Sequence, residues 1–303
     1  MSFDQLIPKL HSITAIPVTP FTADRQVDWA SFRMLIARLI NDGIQVITPN
    51  GNTGEFYALA RDEHKRAVEV AAEEVGERAL LLPGVGYDVA TAVELGRHAE
   101  QAAAGGIMIH QPVHPYQSPE GWLAYHQAIA DALPNLAIVP YIRAAWVSGT
   151  LLKDLADACP NVVAVKYAVA NPLLFAALVQ EVGPDRLVWI CGLAEGWAPF
   201  FWLGGARGFT SGLVNVHAAR SLAMLGCLQA GDYAGAMRIW AQVKPFEDLR
   251  ARRDHALNVP VVKEALAQLG LGPRTVRPPI SELVDSERAE VAAILAGWGL
   301  GER

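Results

Sequence analysis

The chain has 303 residues, 52% of them hydrophobic, and a net charge of -6, enough to bury one large α/β core or a barrel with an appendage. Mild acidity with no basic face or arginine-rich run excludes a nucleic-acid binder, and no apolar run reaches the ~18 residues of a membrane span. The most apolar stretch, 187–205, is broken by Glu195, Pro199 and several glycines.

At the N-terminus, "MSFDQLIPKLHS" lacks the basic and apolar regions of a secretion signal. Short apolar runs then alternate with segments of helical period. The strand-like runs are Ile13 to Thr19, Ile44 to Pro49, Ala79 to Val85, Gly106 to His110, Leu136 to Tyr141, Val162 to Lys166, Arg186 to Cys191 and Arg207 to Ser211. Between the first two, Trp29, Phe32, Leu35, Ile36, Leu39 and Ile40 mark one apolar helix face. A later helix, "DVATAVELGRHAEQAAAGG", stops at Gly105 and Gly106. Near-continuous apolar strands joined by helices predict a parallel sheet covered on every side. Eight such units fit a closed (β/α)8 barrel. A doubly wound sheet would carry a glycine-rich phosphate loop after its first strand, where "PVTPFTADRQVD" stands instead.

From about Ala230 only helical patterns remain, in "DYAGAMRIWAQVKPFEDLRARR", "PVVKEALAQLG" and "SERAEVAAILAGWG". The expected organisation is a barrel over 1–229 and a C-terminal helical appendage over 230–303, docked without a linker. Cys159, Cys191 and Cys227 form no CxxC pair and read as reduced core residues of a cytoplasmic protein.

In such barrels chemistry sits at the carboxyl ends of the strands. Lys166 ends the sixth run, Tyr141 the fifth, and Thr210 and Ser211 the eighth, while "GNTGE", Gly51 to Glu55, follows the second. A strand-end lysine can snorkel to water or pair with a carboxylate. The alternative is an amine desolvated until its pKa falls, able to attack a carbonyl and form a Schiff base. Tyr141 on the neighbouring strand is either a core tyrosine or the proton carrier such chemistry needs. Gly51, Asn52 and Thr53 form either a polar turn or a cradle for a carboxylate, with Glu55 ordering the loop. His110 and His114 have metal-pair spacing, but Pro112 and Pro115 forbid the helix that would use it. His114 remains a candidate contact at the barrel mouth, and Glu195 could border the pocket. "RDEHKRAVEVAAEE" is a solvated helix face. No metal or cofactor is expected.

Together these residues resemble the dihydrodipicolinate synthase and N-acetylneuraminate lyase superfamily of Schiff-base-forming barrels. The likeness rests on "IPVTPFTADRQVD", "GNTGEFYAL", "PNVVAVKYA", "GGARGFTSGLVNV" with Asn215, and "NVPVVKEALAQLGLGPRTVRPPI" with Lys263, Arg277 and Pro279. It implies an enzyme, a lyase, in which Lys166 forms the imine, Tyr141 moves protons and Thr53 binds a carboxylate. It also implies a small keto acid or keto-deoxy sugar acid as substrate, and a homo-oligomer, either a tetramer built from dimers or a dimer. The chain departs from the family at Asn52, where a hydroxyl residue is usual, and at Val113 and His114, where a tyrosine is expected. Its Tyr141-Ile142-Arg143 segment looks like the 5-dehydro-4-deoxyglucarate dehydratase branch, in which Arg143 would hold a substrate carboxylate. A non-catalytic paralogue that kept the pocket is the competing reading.

Overall fold

The computed structural model describes residues 3–301. The chain runs α1 (Phe3–Leu10), β1 (Ile13–Ala15), α2 (Trp29–Asn41), β2 (Val46–Ile47), α3 (Arg61–Val75), β3 (Leu80–Leu81), β4 (Gly84–Val85), α4 (Val89–Gln101), β5 (Gly106–Ile109) and α5 (Pro119–Ala132). It continues β6 (Ala137–Ile142), α6 (Gly149–Ala158), β7 (Ala164–Tyr167), α7 (Pro172–Val182), β8 (Val188–Cys191), α8 (Ala198–Leu203), β9 (Gly208–Ser211), α9 (Val214–Gln229), α10 (Tyr233–Ala251), α11 (Asn258–Gln268) and α12 (Asp285–Gly297). Many helices begin where the sequence supplies a cap: Asp28, Asp88, Ser118, Ser148 and Asn171 each accept a backbone N–H three residues on.

All strand pairs are parallel, in the order β3-β2-β1-β9-β8-β7-β6-β5-β4. The end strands β3 and β4 are separated only by Leu82 and Pro83. Hydrogen bonding to both neighbours continues across that break: Leu82 and Gly84 donate to Ile47 and Pro49 (2.9 Å each), and Met108 donates to Pro83 (2.9 Å). The two segments therefore share one strand position and close an eight-position barrel. The single run expected over Ala79 to Val85 is divided because Pro83 has no N–H to give.

Adjacent residues of a strand face opposite sides, and this sorts the core. Val46, Leu80, Leu82, Ala137, Val139, Ala164, Val188 and Ile190 fill the barrel, joined by Leu6 and Leu10 of α1. That first helix, absent from the pattern reading, plugs the amino-terminal end of the barrel. The opposite parity, including Ile138, Ile142, Val165, Tyr167, Trp189 and Phe209, packs against the helices. Beyond the last strand, α10 packs on α8, α9 and α11, and α12 packs on α11. Val243, Phe246, Leu249, Val261, Val262 and Leu266 are buried in the same core as Leu213, Val214 and Met224 of the barrel side. No helix among the described residues is long and apolar enough to cross a membrane.

Candidate active site

A cavity of about 840 Å³ opens at the carboxyl ends of the strands, between the barrel loops and α10–α11. Lys166 and Tyr141 are directly paired across β7 and β6. Lys166 shares the inward parity of Ala164, so its side chain enters the barrel mouth and is only 4% exposed. Its Nζ lies 3.8 Å from the centre of the Tyr141 ring and 3.6 Å from Met108 Sδ. Gly192, at the end of β8, makes room for the stem: a Cβ there would stand 3.0 Å from Lys166 Cγ. Among the described residues no carboxylate pairs with Lys166, so neither snorkelling nor an ion pair accounts for its position. Burial first, and then the charge of Arg143, push its pKa from 10.5 down to about 7.

Tyr141 is also buried. Burial raises the pKa of its hydroxyl, while Arg143 and the neighbouring Asn52 pull it back. Arg143 follows β6 with its side chain exposed and its backbone N–H on Gln111 Oε1 (3.2 Å). It too lines the cavity and has no carboxylate partner among the described residues.

The loop after β2 forms a short turn over Asn52–Gly54. Gly51 lies so close to the end of β1 that a Cβ would meet Ile16 Cγ2 at 2.4 Å. This glycine seats the loop, and it is Asn52 and Thr53 that line the cavity. Glu55 adopts a left-handed conformation (φ 59°). Its Oε1 accepts from Lys263 Nζ (2.5 Å) and its Oε2 from the Arg277 backbone N–H (3.0 Å). Lys263 also donates to Thr275 O (2.8 Å), and Arg277 pairs with Glu63 (2.6 Å) and donates to Ala58 O (3.0 Å). The appendage thus clamps the loop that carries Thr53. Burial lowers the pKa of Lys263 to about 8, with Glu55 opposing.

Thr210 and Ser211 do not both reach the cavity. Thr210 faces inward and lines it, with its hydroxyl 3.5 Å from Cys191 O. Ser211, one residue on, faces outward; it donates to Glu195 Oε1 (2.5 Å) and receives Val214 N–H (3.1 Å). Ser211, expected beside Thr210 at the site, is thus not among the residues that line the cavity. Glu195 is likewise fully buried behind the wall rather than bordering the pocket; burial and the nearby Glu247 carboxylate raise its pKa to about 7. His114 is exposed and its Nδ1 accepts the Tyr116 N–H (3.1 Å), away from the cavity. His110 is buried, stacked 4.1 Å from Phe56, with Nε2 2.8 Å from Asn50 O. Asn215 is buried and ties strand ends together, donating to Ile16 O (2.9 Å) and accepting Val18 N–H (3.1 Å).

Several lining residues carry no signal in the one-dimensional pattern. Tyr57 follows the Asn52–Gly54 turn, Trp197 and Phe200 lie at the start of α8, and Trp240, Arg250 and Asn258 come from the appendage. Arg250 lies over Gly212 and is held by Glu247 (2.7 Å) and Asn258 (3.1 Å). Only the folded path of α10 and α11 brings Trp240, Arg250 and Asn258 to the barrel mouth.

A desolvated, unpaired amine beside a buried phenol at the mouth of a parallel barrel defines an enzyme of the class I aldolase type, a carbon–carbon or carbon–oxygen lyase. The dihydrodipicolinate synthetase family profile matches residues 9–297, and the chain belongs to that family. A curated relative from Saccharopolyspora erythraea, named as a probable 5-dehydro-4-deoxyglucarate dehydratase, is 32% identical over 93% of this chain and 92% of its own. The crystal structure of dihydrodipicolinate synthase from Oceanobacillus iheyensis superposes with a TM-score of 0.95 at 39% identity, covering 98% of this chain and 99% of that one. The corresponding structure from Bacillus clausii gives 0.94 at 41% identity, covering 97% and 100%.

Proposed function

We propose that the protein is a Schiff-base-forming lyase acting on a 2-oxo acid, with 1–229 as the catalytic barrel and 230–303 as the appendage. One observation carries this reading: Lys166 Nζ is buried with no acidic partner among the described residues, beside the Tyr141 ring. At neutral pH a substantial fraction of that amine is uncharged, so its lone pair is free to attack C2 of the oxo acid. Loss of water gives a protonated imine, which draws electrons from the C2–C3 bond region and allows a C3 proton to leave or a bond at C3–C4 to break. Tyr141 takes and returns the proton. Thr53 and Asn52 receive the C1 carboxylate, and Thr210 lines the opposite wall. Gly51 and Ser211 act through packing.

The finer assignment is a keto-deoxy sugar acid, with 5-dehydro-4-deoxyglucarate as the specific candidate. Arg143, lining the cavity without a carboxylate of its own, supports a second anionic group on the substrate, and the S. erythraea relative carries that activity in its name. The exposed Val113 and Tyr116 support a homo-oligomer, which size-exclusion chromatography with light scattering would test.

The deciding experiment is incubation with pyruvate, reduction with borohydride, and mass spectrometry of the labelled peptide. An adduct on Lys166, absent in Lys166→Ala, is expected; no adduct across a panel of oxo acids would end the imine reading. Turnover of 5-dehydro-4-deoxyglucarate against other keto-deoxy acids tests the finer assignment. An adduct without turnover of any candidate would fit the ligand-binding paralogue.

A further inference from the structure

The cavity holds about 840 Å³, far more than a three-carbon oxo acid fills, and part of its wall comes from the appendage. Most polar side chains that the appendage brings there are already engaged. Lys244 is paired with Asp248, Glu247 with Arg250 and Arg277 with Glu63, and the Trp240 indole N–H donates to Gly196 O (2.9 Å). Three of the lining side chains keep polar atoms without a partner among the described residues. They are Asp254, His255 and Asn258, whose Oδ1 accepts from Arg250 (3.1 Å) while its amide N–H groups stay free.

These three stand together between α10 and the start of α11. Arg253 (φ 53°), Asp254 (φ 52°) and His255 (φ 66°) form a left-handed turn with no glycine in it, a backbone conformation that a Cβ disfavours. The turn is held from outside: Arg252 pairs with Glu290 and Arg253 with Glu287 of α12, each at 2.6 Å. The Asn258 N–H donates back to His255 O (3.0 Å). The two arginines are thus drawn to α12, while Asp254 and His255 are exposed where they line the cavity.

We infer that Asp254, His255 and Asn258 form a binding edge for hydroxyl groups of the substrate beyond C3, so that the site takes a polyhydroxylated oxo acid in preference to an alkyl one of the same length. This rests on the imine reading above. The edge offers a carboxylate that accepts, an imidazole that donates from at least one nitrogen and an amide that donates. A hydroxyl both donates and accepts, so a row of hydroxyls satisfies all three. A second carboxylate on this side would meet Asp254 as a like charge; Arg143, elsewhere in the cavity lining, receives that group instead. Trp197, Phe200 and Trp240 line the same cavity, with Phe200 edge-on to Trp240 (5.8 Å, 85°), and offer apolar surface to the C–H side of such a chain. The edge touches no reacting atom and sets specificity alone.

Borohydride labelling of Lys166 by pyruvate, 2-oxohexanoate and 2-oxo-3-deoxygluconate tests this, with concentrations counted as the open-chain keto form. The adduct mass separates an intact six-carbon acid from pyruvate released by cleavage. In the wild type, half-maximal labelling should need on the order of a hundredfold less 2-oxo-3-deoxygluconate than 2-oxohexanoate. Asp254→Gly and His255→Gly remove the side chains where glycine accepts left-handed backbone at no steric cost, so the turn is kept. Each is expected to cut the preference about tenfold, while half-maximal labelling by pyruvate, which ends short of the edge, stays where it was. Equal labelling by the two six-carbon acids in the wild type overturns the inference, and so does a preference that survives in full in either variant. A matching loss of pyruvate labelling also overturns it, because that marks a disturbed site rather than a lost contact. Absence of any wild-type adduct refutes the imine reading itself, a result that none of the other outcomes produces.

Discussion

Replacing Lys166 by methionine removes the charge while keeping an unbranched side chain in the same apolar surroundings. The amine titrates at about 7 in the folded chain against 10.5 as its ordinary value. In the unfolded chain it therefore holds its proton up to the higher pH. Between those values the unfolded state binds more protons than the folded state, so wild-type stability rises with pH across the interval. The penalty is full below pH 7 and disappears above about 10.5. A gap of that width corresponds to on the order of 5 kcal/mol, an upper figure because the Tyr141 ring face recovers part of it. Urea unfolding at pH 6 should place the Lys166→Met midpoint above that of the wild type, with the difference shrinking steadily toward pH 10. Equal midpoints at pH 6, or a gap that widens as pH rises, would show that the ammonium is solvated or paired in solution and would remove the physical basis of the imine reading.

Other perturbations probe the remaining parts of the site. Arg143→Leu removes a positive charge that holds the Lys166 pKa down; the pH at which borohydride trapping is half-maximal should move upward from about 7, and a downward or absent shift would contradict the electrostatic argument. Lys263→Met leaves Glu55 buried without its amine, and breaking such a pair typically costs about 3–5 kcal/mol. Urea unfolding should show that loss, with a higher KM for the oxo acid because the Thr53 loop is freed; a loss under about 1 kcal/mol with KM unchanged would mean that the pair does not hold the loop. Gly51→Ala forces a Cβ into Ile16 at 2.4 Å, and it should raise KM more than it lowers kcat, read from steady-state kinetics on any oxo acid that turns over.

How much of this was legible in the sequence depends on the distance over which each feature is determined. Strand and helix alternation is local, carried by apolar period and by caps such as Asp28 and Ser148, and the barrel follows from its regularity. Lys166 and Tyr141 could be located because a polar residue ending an apolar strand is conspicuous in one dimension. Parity is harder. Thr210 and Ser211 are equivalent as letters, and only the register of β9 against β1 and β8 decides which enters the cavity. The interruption at Pro83 was visible as a residue, but its consequence required knowing that both neighbouring strands bond across it. Trp240 and Arg250 were out of reach because their positions depend on how α10 and α11 lie on the barrel, which no local pattern encodes.

The same packing explains how one site holds a costly amine without becoming mobile. Lys166 stands at the rim of a barrel filled with Val139, Ala164 and Ile190, none of which can supply a counter-charge. Two of the acids that line the mouth are held by basic partners, Glu55 by Lys263 and Glu247 by Arg250, and Glu195 behind the wall is held by Ser211 and Ser221. Each of these couples the barrel to the appendage, braces the appendage from within or pins the wall behind β9. A buried charge pair left with one partner is destabilising, which gives Glu55 and Glu247 a reason to stay where they are. By engaging Glu55 through Lys263 and Glu247 through Arg250, the appendage fixes two of the acids that line the cavity Lys166 enters.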